Sequence, residues 1–211
     1  MAMATLVVPR AAASLETLFE PPPAARDFEL VDVSSGNLPR LETRCWLFHD
    51  RQSLYLLVQA DDDPEAVATY RRHDDPLYEE DVFEIFLAPA TLRQYFEIEL
   101  NHLSAVFDAR IDSPDGDRRT MTADVGWTCD GLWTALQREV EPGRCRSSVF
   151  LGIPFSALGR ETPKRGERWR ANIFRIDRSA SHGDQYSAWQ PTLRSPADFH
   201  VPAAFGELVF D

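Results

Sequence analysis

The chain has 211 residues, with 34 acidic and 22 basic side chains and a formal net charge of -12 at neutral pH. That balance argues against non-specific binding to nucleic acid or anionic membrane, because both rest on Lys and Arg neutralising phosphate. The hydrophobic fraction of 44% excludes general disorder. Three separated cysteines (Cys45, Cys129, Cys145) form no Cys-x-x-Cys pair, so neither a disulfide framework nor a zinc site is expected.

Residues 5–8 read as a first strand, and Glu20-Pro21-Pro22-Pro23 as a rigid extended connector. The short apolar run at the start has no charged region ahead of it, and no stretch approaches the roughly 18 apolar residues of a membrane span. The expectation is a soluble, cytoplasmic protein. From residue 40 the apolar period becomes two. Residues 44–48 and 53–61 are strands; in the second, Leu54, Leu56, Val58 and Ala60 share one face. A long polar connection follows, opened by Asp61-Asp62-Asp63-Pro64, with a helical turn expected at 65–71. Connections of this length in compact domains are usually functional or disordered.

Residues 81–88 form the next strand, with Phe83, Ile85 and Leu87 on one face and Glu84 on the other. In the strand at 94–101, Phe96, Ile98 and Leu100 oppose Tyr95, Glu97, Glu99 and Asn101. The pair predicts a sheet with an apolar core side and a wet, acidic and aromatic side. Further strands are expected at 105–108, 121–127, 132–140, 147–153, 167–177 and 207–210, with one helical turn at 154–158. About ten short strands and almost no helix predict an all-β fold, a jelly-roll or immunoglobulin-like β-sandwich. Nothing divides the chain, so one domain over 1–211 is expected, with 1–40 as an N-terminal extension.

No nucleophile elbow, phosphate loop, dinucleotide fingerprint or His-Glu-x-x-His is present. Glu84, Glu97 and Glu99 together make an acidic floor suited to sugar hydroxyls or to a hard, oxygen-seeking cation such as Ca²⁺. Two of them also meet the composition of a glycosidase, which sets two carboxyls roughly 5–9.5 Å apart. Trp46 and Trp169 lie in strand patterns and read as core. Trp189 lies in a polar, proline-bearing stretch, where a tryptophan is either a lid on the core or a platform for a ligand ring.

The ordered set Ser53-Leu54-Tyr55-Leu56, Tyr78-Glu79-Glu80-Asp81-Val82-Phe83-Glu84-Ile85-Phe86, Tyr95-Phe96-Glu97-Ile98-Glu99-Leu100-Asn101, Ile153-Pro154-Phe155, Trp169-Arg170-Ala171-Asn172 and Phe205-Gly206-Glu207-Leu208 resembles the family 9 carbohydrate-binding modules and their DOMON-like relatives. The resemblance implies a non-catalytic β-sandwich that holds a mono- or oligosaccharide between two aromatic rings. One clamp ring lies six residues before a strand glutamate, which the spacing matches to Tyr78 and Glu84; the other lies on a late loop, matched by Trp189. Glu99 and Asn101 stand where family members carry a sugar-contacting arginine strand, and Arg175 is the alternative source of charge. Tyr78 also departs from the tryptophan of well-known members. No cofactor is required; the resemblance allows a structural Ca²⁺, with Asp61, Asp62 and Asp63 as its ligands. The rival readings are the glycosidase and a DOMON-like haem module, for which Met121 with His102 is the one axial pair on offer.

Overall fold

The structure, a computed structural model, describes residues 3–211. It is an all-β sandwich. Its strands are β1 (Thr5–Val8), β2 (Asp27–Glu29), β3 (Val31–Asp32), β4 (Thr43–His49), β5 (Ser53–Asp61), β6 (Val82–Ala88) and β7 (Gln94–Asn101). They continue as β8 (Val106–Asp112), β9 (Thr122–Asp124), β10 (Trp133–Glu141), β11 (Arg144–Pro154), β12 (Arg168–Asp177), β13 (Gln185–Ala188) and β14 (Gly206–Phe210). Among the described residues no helix is long and apolar enough to cross a membrane.

The larger sheet runs β1-β14-β12-β6-β7-β8-β9, with β13 pairing the far half of β12 and β3 pairing β13. The smaller sheet runs β10-β11-β5-β4-β2. Neighbours are antiparallel except β1, which runs parallel to β14. Tight turns fix the registers. Asp50 accepts from the N–H groups of Gln52 and Ser53 and closes the β4–β5 hairpin. Pro142-Gly143 closes β10–β11, with Gly143 at φ 78°, the left-handed position a type II turn needs after proline.

The period-two pattern decides the core. Leu47, Leu54, Leu56 and Val58 from the small sheet meet Phe83, Ile85, Leu87, Ile98, Leu100 and Ile173 from the large one, all at most 2% exposed. Full burial of each such side chain contributes about 1.5–3 kcal/mol. Residues 3–40 are woven into both sheets. Ala11, Ala13, Leu18 and Phe19 cover a second apolar layer, Trp46, Phe48, Tyr55, Leu57 and Phe150, on the outer face of the small sheet.

Two sequence expectations change here. The outer face of the large sheet is not wet: Phe86, Tyr95, Phe107, Ile111 and Phe174 form a third apolar cluster there, capped by Leu77, Phe199 and Phe205 from loops. Residues 65–71 form no helical turn. Their backbone is held extended, because the Asp81 carboxylate takes the N–H of Val67 and the Glu80 carboxylate takes those of Thr69 and Tyr70.

Candidate functional site

On that covered outer face the loops leave a cleft of about 1090 Å³. Glu84 of β6 and Glu97 of β7 form its floor. Tyr78, on the 3-10 turn Leu77–Glu79, stands beside them with 48% of its surface exposed, edge-on to Phe107 at 5.9 Å. Arg178, Tyr186 and Phe199 line the cleft as well, and so do Arg118 and His200. Phe199 is held by stacking on Phe174 at 4.2 Å, with its edge toward Tyr186 at 6.2 Å. The Arg178 guanidinium lies over the Tyr186 ring at 5.3 Å, pairs with Asp184 at 2.7 Å and donates to the Tyr78 carbonyl at 2.8 Å. It thus ties the Tyr78 turn to the end of the β12–β13 connection.

The floor is chemically unusual. Glu84 and Glu99 are direct cross-strand partners, and Glu97 follows two residues earlier on the same face. Carboxylate oxygens of the three residues lie within 4.8 Å of one another. Their exposures are 1%, 5% and 0% for Glu84, Glu97 and Glu99. Glu84 Oε1 and both Glu99 oxygens are buried without a hydrogen-bond partner. Burial, then mutual repulsion, pushes Glu84 and Glu99 well above the usual carboxylate range. Burial raises Glu97 to about 7, opposed by its close neighbour Glu99 and by the Arg118 charge. Carboxyls in this state offer both O–H donors and acceptors. His200 is pushed the other way, to about 4, first by burial and then by Arg118, so its imidazole is neutral.

The sequence-matched residues divide in two. Tyr78, Glu84 and Glu99 come together, although Glu99 lies beneath the other two rather than on the cleft surface. Trp189, Arg175 and Asn101 do not join them. Tyr186 and Trp189 are three residues apart, so alternation sends Tyr186 to the cleft face and Trp189 into the sandwich core, where it packs on Phe28 at 5.3 Å. Arg175 pairs with Phe83 across the β6–β12 ladder and shares its core-facing side. There it bonds Asp62 at 3.1 Å, Asp177 at 2.9 Å, Thr43 at 3.0 Å and the Asp61 carbonyl at 2.7 Å. Asn101 is consumed by a turn: its Oδ1 takes the N–H groups of Leu103 and Ala105, and its Nδ2 donates to the Tyr70 carbonyl.

The aspartate run does not offer a calcium cradle either. Asp61 pairs with Arg146 at 3.0 Å, Asp63 with Arg40 at 2.9 Å, and Asp62 with His102, Arg175 and Arg138. Burial opposes the Asp62 charge, but its His102 hydrogen bond and the His102 and Arg175 charges hold its carboxyl well below the usual range. His102 therefore lies with this interior cluster, its ring against Phe83, whereas Met121 sits on the cleft side beside Tyr95. The two cannot bind one haem iron from opposite faces of a sheet. Arg178, Tyr186, Phe199, Arg118 and His200 escaped the sequence reading. Only Tyr186 carried a usable signal, its parity within β13.

The sequence profile of carbohydrate-binding family 9 matches residues 36–210. Three solved structures share the fold. A candidate carbohydrate-binding protein from Bacteroides uniformis ATCC 8492 is 17% identical, with both chains covered in full and a TM-score of 0.77. A family 9 module from Caldicellulosiruptor kristjanssonii is similar in complex with glucose (15% identity, 98% of this chain and 95% of that one, TM-score 0.65). The same holds for its complex with cellotriose (13% identity, 98% and 93%, TM-score 0.63). No curated protein is significantly similar to the chain. With 175 consecutive residues matched by the profile and the sandwich in place, the chain belongs to carbohydrate-binding family 9.

Proposed function

We propose that the outer-face cleft binds a mono- or oligosaccharide without transforming it. One observation carries the reading: a half-exposed tyrosine ring stands beside buried carboxyls whose oxygens the protein leaves unpartnered. Tyr78 supplies the flat surface for the apolar face of a pyranose ring. Glu84 and Glu97 exchange hydrogen bonds with its hydroxyls, Glu99 lies behind them, and Arg178 closes one side. Tyr186 and Phe199 take the place foreseen for Trp189 as the aromatic surface contributed by the later part of the chain. The glucose and cellotriose of the Caldicellulosiruptor complexes make these two sugars the first to try.

Binding rather than hydrolysis is supported by the match to a family of carbohydrate-binding modules. Burial shifts all three carboxyls toward the neutral form, so the floor can meet sugar hydroxyls with both O–H donors and acceptors. An open site of this kind binds with about 4–8 kcal/mol, millimolar to micromolar. A thermal-shift screen of mono- and disaccharides tests the reading. A binding sugar raises the unfolding temperature by an amount that grows with log concentration and is recovered unchanged after incubation. Recovery of shortened sugar would overturn the non-catalytic reading, and a flat response to every sugar would overturn carbohydrate binding.

A further inference from the structure

We infer that Glu84, Glu97 and Glu99 form a binding site for a divalent, oxygen-seeking cation, calcium in the first instance, at the floor of the cleft. The spacing fits: oxygens on one calcium ion, each about 2.3–2.6 Å from it, lie at most about 5 Å apart, and the three carboxylates come within 4.8 Å of one another. The donors are all oxygen, which favours calcium or a similar hard cation over zinc or copper. The side chains are buried, and three of their oxygens have no partner, which a protein interior seldom leaves so.

The protein's own cations do not fill the role. Among the described residues, the one basic nitrogen within 4.0 Å of these carboxylates is His200 Nε2, 3.8 Å from Glu97 and beyond hydrogen-bond distance. Arg178 and Arg118 act on the cluster only through longer-range charge. The Arg178 guanidinium is engaged by Asp184, Tyr186 and the Tyr78 carbonyl, and that of Arg118 by Asp198. A cation entering from the cleft would relieve the repulsion between carboxylates that have no arginine in contact with them.

The placement gives the cation a second task. Three carboxylates supply at most six oxygens from beneath, and calcium accepts six to eight. Its open positions face the cleft beside Tyr78, where two neighbouring hydroxyls of a sugar ring can complete the shell. The structure thus points to a vicinal diol as the group recognised. This second part rests on the carbohydrate reading of the cleft; the cation site itself does not.

Terbium luminescence, sensitised by the protein's aromatic rings, tests the cation site without any sugar. Wild type should give one saturable terbium signal that calcium displaces. Glu99→Gln and Glu84→Gln, which keep shape and remove charge, should weaken it by about tenfold or more. Without metal, Glu99→Gln should unfold at the wild-type temperature or above it, which separates lost ligation from lost folding. Equal terbium affinity in wild type and both variants overturns the site, and its loss in His73→Ala alone would move it to the His73, Asp74 and Asp108 group. Calorimetry of a screened sugar with calcium and with chelator tests the diol. Equal affinity in both overturns the metal-bridged diol but not the cleft. No sugar binding alongside normal terbium binding overturns the carbohydrate reading and leaves the cation site.

Discussion

Replacing Trp189 by alanine separates a core tryptophan from a sugar platform. The ring is 7% exposed, lies in the main sandwich core and meets Phe28 at 5.3 Å. Gly206 is glycine because a Cβ there would sit 2.5 Å from Trp189 Cη2 and Cζ3. Removing a buried indole costs about 3–5 kcal/mol, the lost transfer energy plus the cavity left behind. For a chain of this size each kcal/mol moves the unfolding temperature by about 2–4 °C, so Trp189→Ala should unfold about 6–20 °C below wild type. Gly206→Ala should lose about 1–3 kcal/mol by forcing that ring off its seat. Scanning calorimetry and urea titration read both changes. The folded Trp189→Ala protein should still bind sugar as wild type does. A variant with wild-type stability and abolished sugar binding would refute the placement of Trp189.

Arg175→Ala removes the buried cation shared by Asp62 and Asp177, leaving Asp62 with His102 and Arg138 and Asp177 with Arg40. Breaking a buried pair costs about 3–5 kcal/mol, so urea unfolding should show a loss toward the lower end of that range, with sugar affinity at the wild-type value. Asn101→Ala leaves the N–H groups of Leu103 and Ala105 without their acceptor and should destabilise by about 1–3 kcal/mol, again with the cleft intact. Burial raises Glu97 from its ordinary 4.5 to about 7 and Asp177 from 3.8 to about 6. Carboxyls raised in the folded state favour folding while protonated, so this contribution is full below their ordinary values and fades as pH rises toward 7. Asp62, held low, acts in the opposite sense: its stabilisation is present above its ordinary 3.8 and is lost in stronger acid. His200, lowered to about 4, opposes this over the same window, because an imidazole kept neutral by burial favours folding more as pH rises toward its ordinary 6.5. The comparison that isolates the carboxyl is therefore wild type against Glu97→Gln: the urea-midpoint advantage of wild type should shrink from about pH 4.5 to 7, and a difference that stays constant or grows through the window would contradict the buried cluster.

The strands were legible where alternation was clean. In β5 the set Leu54, Leu56, Val58 and Ala60 and in β7 the set Phe96, Ile98 and Leu100 marked the core face, and the structure keeps both assignments. The carboxylates at 84, 97 and 99 were legible as one face for the same reason. Their burial was not, because their cover comes from the connections at 62–81 and 190–205, which carry no period to read. The 65–71 segment looked helical by composition, yet its N–H groups are claimed by Glu80 and Asp81 from across the loop, a tertiary effect no local pattern encodes. Trp189 was misplaced because the four-residue strand ahead of it was too short to recognise, and one residue of parity decides which face a side chain joins. Arg175 was read as a free charge, since nothing in a linear pattern shows that two distant aspartates converge on it.

The central claim is that the outer-face cleft, with Tyr78 as its platform, binds sugar. Calorimetric titration of the sugar selected by the thermal-shift screen, into wild type and Tyr78→Ala, tests it most directly. Tyr78 is 48% exposed, so its truncation should leave the fold nearly as stable as wild type. The account predicts a loss of about 1–2 kcal/mol of binding, a factor of roughly 5–30. Equal affinity for wild type and Tyr78→Ala would place the sugar elsewhere on the protein and contradict the account.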